Sequence, residues 1–167
     1  MPRRSSRAKA PPAGTALQVG LRLLARRDHS RRELERKLLR RGHEADEIAS
    51  ALIRLAELGY MDDAAFASGV VRRRSSSRGP LALSAELAGK GIERSLAEAA
   101  LALFAPEAQL EAATRIAERL YAAGPPLGYR EALDRIGSKL VRRGYSAGIV
   151  RQACRAVLSQ RAPDPAA

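Results

Sequence analysis

This chain of 167 residues has one cysteine, two histidines, no tryptophan and only 4% aromatic residues. A single cysteine excludes a disulfide framework, and one cysteine with two histidines is too few for the usual zinc sites. The scarcity of aromatics disfavours a base-stacking platform for single-stranded nucleic acid. No apolar run approaches the ~20 residues of a membrane span, and residues 1–14 lack the apolar core of a secretory signal. We therefore expect a cytoplasmic protein with no membrane partner.

What the chain has is positive charge. Thirty Lys and Arg face 18 Asp and Glu, giving a net charge of +12. Such a charge favours polyanionic partners, above all nucleic acid. Most of the basic residues are Arg, which suits bidentate contacts with phosphate or carboxylate. Codon bias can also produce an Arg- and Ala-rich composition, so composition alone leaves binding open.

Three short segments of the chain repeat one another: residues 37–43 (KLLRRGH), 86–92 (ELAGKGI) and 139–145 (KLVRRGY). Each segment ends one amphipathic helix and begins the next, and its glycine suits the left-handed position after a helix. Leucine stands four residues before each glycine, and an apolar residue stands thirteen after it. A unit that cannot bury its apolar face alone must stack on its neighbours.

The pattern predicts an all-α fold of three tandem three-helix, helix-turn-helix-like repeats in an elongated, curved array. We place the repeats at 15–59, 60–105 and 106–160. A disordered basic arm over 1–14 and a disordered tail over 161–167 would flank them.

Local signals refine the helix boundaries. Ser30 and Glu33 form a predicted capping box, in which each side chain bonds the other residue's backbone amide. Pro80 suits the first turn of a helix. The third repeat is predicted to have helices over 107–122, 129–143 and 146–159.

Two motifs have structural explanations that we favour. Residues 60–63 spell YMDD, the catalytic tetrapeptide of reverse transcriptases, but that chemistry needs a β-hairpin and a further carboxylate. Here the motif lies between two helices, where Asp62 fits an N-cap. A helix-turn-helix DNA reader would place polar or basic residues at the start of its third helix. Two of the three candidate helices begin with acidic residues, which argues against insertion into the major groove.

No group of residues predicts catalysis. Neither histidine has a convincing partner, and there is no Gly-rich phosphate loop. Cys154 has no base nearby and aligns with Leu52 and Leu101, so we expect a small buried hydrophobe. We therefore predict no enzyme activity, no catalytic or metal-binding residues and no cofactor.

Four ordered motifs resemble the RecX regulatory proteins. They are residues 21–38 (LRLLARRDHS followed by EL and KL), 58–67 (LGYMDD followed by FA), 78–92 (RGP, EL and KGI) and 140–145 (LVRRGY). The resemblance covers about residues 16–160, with Met61 standing where the family usually has Leu.

This resemblance implies a regulator of the RecA recombinase, which we expect to be a monomer. Family members bind along the RecA–DNA filament and usually restrain its growth, its ATP hydrolysis, strand exchange and the associated SOS response. They thereby affect DNA repair and recombination. The expected partners are the RecA filament and the phosphates of single- or double-stranded DNA. The alternative is a nucleic-acid-binding protein that acts without RecA, such as a helix-turn-helix transcription factor.

The basic residues are the candidates for the binding surface. Favourable charge at helix C-termini explains most Arg pairs, but not Arg31 and Arg32 in a helix's first turn. Charge and repeat position give these filament- or DNA-binding candidates: Arg26, Arg27, Arg31, Arg32, Arg40, Arg41, Lys90, Arg142 and Arg143.

Overall fold

The computed structural model describes residues 14–124 and 127–159, and every regular element within those ranges is helical. The all-α prediction is therefore confirmed. The predicted arm (apart from Gly14) and tail lie outside the described residues. The helices are α1 Ala16–Leu24, α2 Arg31–Arg41, α3 Ala45–Glu57, α4 Asp63–Arg74, α5 Pro80–Gly89, α6 Arg94–Ala102, α7 Pro106–Ala122, α8 Tyr129–Ala132, α9 Ser138–Arg142 and α10 Ala147–Ser159, with a π-helical segment, Leu133–Gly137, between α8 and α9.

The chain divides into two compact units. The first, unit 1, comprises the residues up to Phe66 together with Lys90–Ile92, and the second, unit 2, comprises Ala67–Gly89 and the residues from Glu93 onward. This division differs from the three repeat boundaries, which stay a prediction.

In unit 1, α1, α2 and α3 pack against one another around aliphatic side chains. Leu34, Leu38 and Leu55 are completely buried. These are the positions at which the 3.6-residue period places apolar side chains on one face of each helix.

The core positions of unit 1 recur in unit 2. Leu87 and Leu140, which like Leu38 stand four residues before the repeat glycine, are also completely buried. Phe104 and Val157, thirteen residues after the glycine, are 6% and 2% exposed. The repeat is therefore a pattern of core positions, as predicted.

The three repeat glycines share one backbone conformation. Gly42, Gly91 and Gly144 have φ angles of 93°, 78° and 86°. Side-chain-bearing residues rarely adopt positive φ, because Cβ then crowds the neighbouring backbone. The predicted left-handed turn after the helix is thus present in all three segments.

The start of α2 differs in one respect from the prediction. Ser30 caps the helix, since its hydroxyl oxygen accepts a hydrogen bond from the Glu33 backbone amide at 3.2 Å. The reciprocal half of the box is absent, because the Glu33 carboxylate accepts bonds from the Arg27 guanidinium at 2.6 and 3.2 Å. The Arg27 guanidinium thus takes the place that the Ser30 backbone amide would have in a complete capping box.

Asp62 is the N-cap of α4. Its carboxylate accepts hydrogen bonds from the backbone amides of Ala64 and Ala65 at 2.7 and 3.0 Å. Met61 and Phe66 are buried on either side of it. This arrangement accounts for the YMDD motif as the start of a helix.

In unit 2, the helix predicted over 129–143 is interrupted by the π-helical segment Leu133–Gly137. Gly137 faces α10 so closely that an added Cβ would lie 3.0 Å from the Val150 side chain. Cys154 is buried beside this segment, and its thiol donates to the Ala132 carbonyl over 3.8 Å. Burial raises the pKa of the thiol, which fits the expected role of Cys154 as a small core residue.

Candidate polyanion-binding surface

The exposed face of α2 carries the densest positive charge of unit 1. Six of the eleven residues of α2 are Arg or Lys, against two Glu. Arg32, Arg36 and Arg40 follow one another at intervals of four residues, so they lie on one side of the helix about 6 Å apart along its axis. We call these three residues the α2 ridge.

The guanidinium groups of the α2 ridge are available to a ligand. All three residues are exposed. Within the part of the chain that the structure describes, none of them forms an ion pair. A row of unpaired guanidinium groups is suited to the regularly spaced phosphates of a nucleic acid backbone.

The first member of the ridge is positioned by a close contact. The aliphatic part of Arg32 lies against Gly91, where an added Cβ would come within 2.2 Å of the Arg32 Cδ. Beside this contact, the Ser30 hydroxyl donates to the Lys90 carbonyl oxygen at 2.6 Å. Gly91 thus permits the start of α2 and residues 90–92 to meet within unit 1.

Lys90 lies next to this contact and is half-buried. Its ammonium nitrogen lies 5.8 Å from the centroid of the Phe66 ring, within the range of a cation–π interaction. The contact holds the lysine side chain without neutralising its charge, so Lys90 remains suited to a phosphate.

Arg27 has a different environment from the ridge. Its guanidinium forms a bidentate ion pair with Glu33 and donates to the Asp28 carbonyl at 2.8 Å. The Arg27 guanidinium is also the main cause that lowers the pKa of Glu33 to about 2. Because its charge is already balanced inside unit 1, Arg27 is a weaker candidate than the ridge.

The remaining candidates of unit 1 are exposed. The Arg31 backbone amide donates to the Asp63 carboxylate at 2.8 Å, and the residue is exposed. Arg41 bonds the Lys37 carbonyl at 3.0 Å, as expected for a basic residue near a helix C-terminus. Arg26 follows α1 and has no ion pair among the described residues.

Two candidates belong to unit 2. Arg142 is exposed at the end of α9. Arg143 is half-buried and donates to the Lys139 carbonyl at 3.2 Å. Its own carbonyl accepts the Gly79 amide at 2.8 Å, so it also has a structural role.

The structure therefore groups seven of the nine candidates in one unit: Arg26, Arg27, Arg31, Arg32, Arg40, Arg41 and Lys90. Sequence reasoning missed Arg36, the central residue of the ridge. The signal was the spacing of four residues through 32, 36 and 40, which the more conspicuous Arg-Arg pairs obscured.

The two histidines are buried in unit 1. His29 Nδ1 lies 3.1 Å from a Glu33 carboxylate oxygen, and His43 Nδ1 lies 3.0 Å from a Glu47 carboxylate oxygen. Burial lowers the pKa of His29, against the opposing effect of Glu33. Among the described residues, no group of three or more His, Cys, Asp or Glu is placed to hold a metal ion. Likewise, none of the described helices is long and apolar enough to cross a membrane.

Comparison with known proteins identifies the family. Residues 16–65 match the family model described as RecX, first three-helix domain, and residues 62–101 match RecX, second three-helix domain. The chain belongs to the RecX family. The predicted family resemblance is thus confirmed, and the RecX family is one of regulatory proteins.

Curated relatives carry the same description. The chain is 49% identical over 87 residues to "Regulatory protein RecX" of Xanthomonas oryzae pv. oryzae, covering 52% of this chain and 54% of the relative. It is 41% identical over 97 residues to that of Stenotrophomonas maltophilia, covering 58% and 60%. The matched region thus spans between half and two thirds of the length of these RecX relatives.

A solved RecX structure extends the likeness to most of the fold. The crystal structure of RecX from Lactobacillus salivarius superposes with a TM-score of 0.79 at 26% identity, covering 86% of this chain and 95% of that one. A second crystal structure, of regulatory protein RecX, has a TM-score of 0.73 at 25% identity, covering 80% and 68%.

Proposed function

We propose that this chain is a monomeric cytoplasmic regulator that binds the RecA–DNA filament and restrains recombinase activity, with consequences for DNA repair, recombination and the SOS response. The observation that carries the proposal is the α2 ridge, three exposed arginines without ion pairs in the described residues. The RecX family supplies the identity of the partner.

The ridge supports contact with the DNA of the filament. Residues four apart on a helix are about 6 Å apart along its axis. Each neutralised phosphate releases condensed counterions, so binding should weaken steeply as salt rises. Such contacts are independent of sequence, which suits a ligand that coats DNA of any sequence.

The N-termini of the third helices disfavour the alternative, a transcription factor that reads DNA sequence. A base reader inserts the N-terminus of a helix into the major groove. The third helices of the first two repeats, α3 and α6, begin after Glu44 and Glu93, whose side chains make no capping bond. Carboxylates at these helix ends would be repelled by DNA phosphates.

A pull-down tests the proposal. Single-stranded DNA coated with RecA, and the same DNA bare, are compared at matched salt. We expect the filament to retain the chain at concentrations at least about tenfold lower than bare DNA does, since many modest contacts to successive protomers add through avidity. Filament ATP hydrolysis should fall as the chain is added. Equal retention on both ligands would contradict RecA-directed binding and favour the RecA-independent alternative.

A further inference from the structure

Unit 2 has a groove that the DNA contacts above do not use. It has a volume of about 410 Å³ and is bounded by α4, the end of α6 and the start of α7. We call it the unit 2 groove. Its volume falls within the ~300–1,000 Å³ range of ligand-binding pockets.

The floor of the unit 2 groove is apolar and aliphatic. Val71, Ala100 and Ala112 line it and are nearly completely buried. Phe104 also lines it but is only 6% exposed, so it presents little ring face to a ligand. A nucleobase would find no exposed aromatic partner for stacking here, whereas an aliphatic or aromatic side chain of a protein would be well matched.

One wall of the groove is an exposed leucine. Leu103 is 75% exposed, the largest exposure among the large hydrophobic residues of the described chain. It follows α6 directly, and its backbone amide bonds the Leu101 carbonyl. An apolar side chain held open beside an apolar groove is typical of a protein interaction site.

The rim of the groove is basic. Arg72 lines it, is exposed, and has no ion pair within the described ranges. Arg115 also lines it but is paired with Glu111 at 2.8 Å. The unbalanced charge at the rim is therefore positive and lies next to the apolar floor, which favours a ligand with a carboxylate beside an apolar group.

We infer that the unit 2 groove docks an acidic segment of a protein partner, with an apolar side chain against Leu103 and a carboxylate on Arg72. This inference rests on the proposed function, because it assigns that segment to the recombinase protomers of the filament. The unit 2 groove would then contact protein, while the α2 ridge contacts DNA.

Two groove variants of the full chain test the inference, Leu103→Glu and Arg72→Glu. Both residues are exposed, so the fold should tolerate the changes, which circular dichroism verifies. Leu81→Glu and Arg130→Glu are matched controls: Leu81 and Arg130 are exposed residues of unit 2 outside the groove. The probes are RecA-coated single-stranded DNA, the same DNA bare, and light scattering for self-association.

We expect each groove variant to bind the filament at least about tenfold more weakly than its control, because a central contact of an interface contributes that much or more. Binding to bare DNA should match that of the control. Equal filament binding by variant and control would overturn the groove alone. If a groove variant lost affinity for bare DNA and for the filament equally, the groove would bind nucleic acid and the inference would be wrong. It would also be wrong if light scattering showed a wild-type dimer that Leu103→Glu abolishes, because the groove would then bind a second copy of the chain. Wild-type protein that does not prefer the filament would overturn the proposed function and the groove's partner together.

Discussion

Helices α2 and α5 occupy the same place in successive repeats, and their exposed faces are opposite in character. Twelve residues separate the cap of each helix, Ser30 or Gly79, from its repeat glycine. Yet α2 has six basic residues and α5 has none. The positions of Arg32, Arg36 and Arg40 are taken in α5 by Leu81, Ala85 and Gly89.

The comparison separates the residues that specify the fold from those proposed to bind. Leu34 and Leu83 stand eight residues before their glycines, and both are completely buried. Leu38 and Leu87, four residues before them, are equally buried. What the two helices share is thus the buried face, and what distinguishes them is the charge that a ligand would meet.

The two helices also begin in similar surroundings. The Ser30 hydroxyl donates to the Lys90 carbonyl in unit 1, and the Gly79 amide donates to the Arg143 carbonyl in unit 2. Lys90 and Arg143 each precede a repeat glycine. The start of each helix is therefore held by the same kind of turn, through a different donor.

The largest effect is expected from breaking this shared turn contact with Gly144→Ala. The glycine has a φ of +86°, and an added Cβ would lie 2.2 Å from the Ala82 backbone nitrogen. Backbone strain and a clash with a backbone that cannot move aside should together lower the free energy of unfolding by more than about 3 kcal/mol. Denaturant unfolding followed by circular dichroism measures the change.

Gly59→Ala is the control for this substitution. Gly59 has a φ of +73° but open space around the Cβ position. The free energy of unfolding of this variant should fall by only about 1–2 kcal/mol, the cost of the left-handed backbone conformation alone. If both variants lost the same free energy of unfolding, the close approach of Gly144 to α5 would contribute nothing beyond the backbone strain.

The second-largest effect is expected from removing two charges of the α2 ridge with the double substitution Arg36→Ala/Arg40→Ala. Arg32 is kept because its stem packs on Gly91. Each phosphate contact contributes about 0.9 to the slope of log K against log salt, so losing two should weaken DNA binding roughly 50-fold near 0.1 M salt. The slope itself should fall by about two. Fluorescence anisotropy over a salt series gives both quantities.

Arg54→Ala/Arg94→Ala removes the same charge from arginines that already have partners. Arg54 pairs with Glu57 at 3.0 Å and Arg94 with Glu98 at 2.7 Å. This control should change DNA affinity by less than about threefold, since distant exposed charges are screened. A similar loss in both double variants would indicate that net charge, and not the ridge, governs binding.

The buried face and the C-terminal turn of α2 could be predicted from sequence. The contacts of α2 with distant residues could not, for physical reasons. Leu34, Leu38 and the turn at Gly42 follow from local periodicity and backbone conformation. The pairing of Glu33 with Arg27, in place of the predicted capping box, depends on how the chain folds back between α1 and α2. The approach of Arg32 to Gly91 joins residues far apart in sequence, which no local pattern encodes.

The same limit applies to unit 2. The helix after residue 128 was predicted as continuous, because its buried residues Ala132, Ile136 and Leu140 follow one another at intervals of four, as they also do on one face of an α-helix. The unit 2 groove brings together side chains from three separate segments of the chain, so no single sequence motif predicts it. Arg72 lies in the last turn of α4, where a positive charge is favourable without any ligand, and only its place beside Leu103 indicates a further role.

The smallest effect is expected from giving α5 the charge of α2, with Ala85→Arg/Gly89→Arg. Ala85 is exposed, and an added Cβ at Gly89 meets nothing within 4 Å, so both side chains fit. On a helix without other basic residues, the two new arginines should together form less than one phosphate contact on average. Affinity for bare DNA should therefore rise by about fivefold near 0.1 M salt, and the salt slope should steepen by less than one. The uncharged pair Ala85→Gln/Gly89→Gln controls for helix propensity. If the arginine pair gains no more than the glutamine pair, then exposed charge on a repeat helix is insufficient. The function of α2 would then depend on its position in unit 1, next to Lys90 and Gly91, as well as on its arginines.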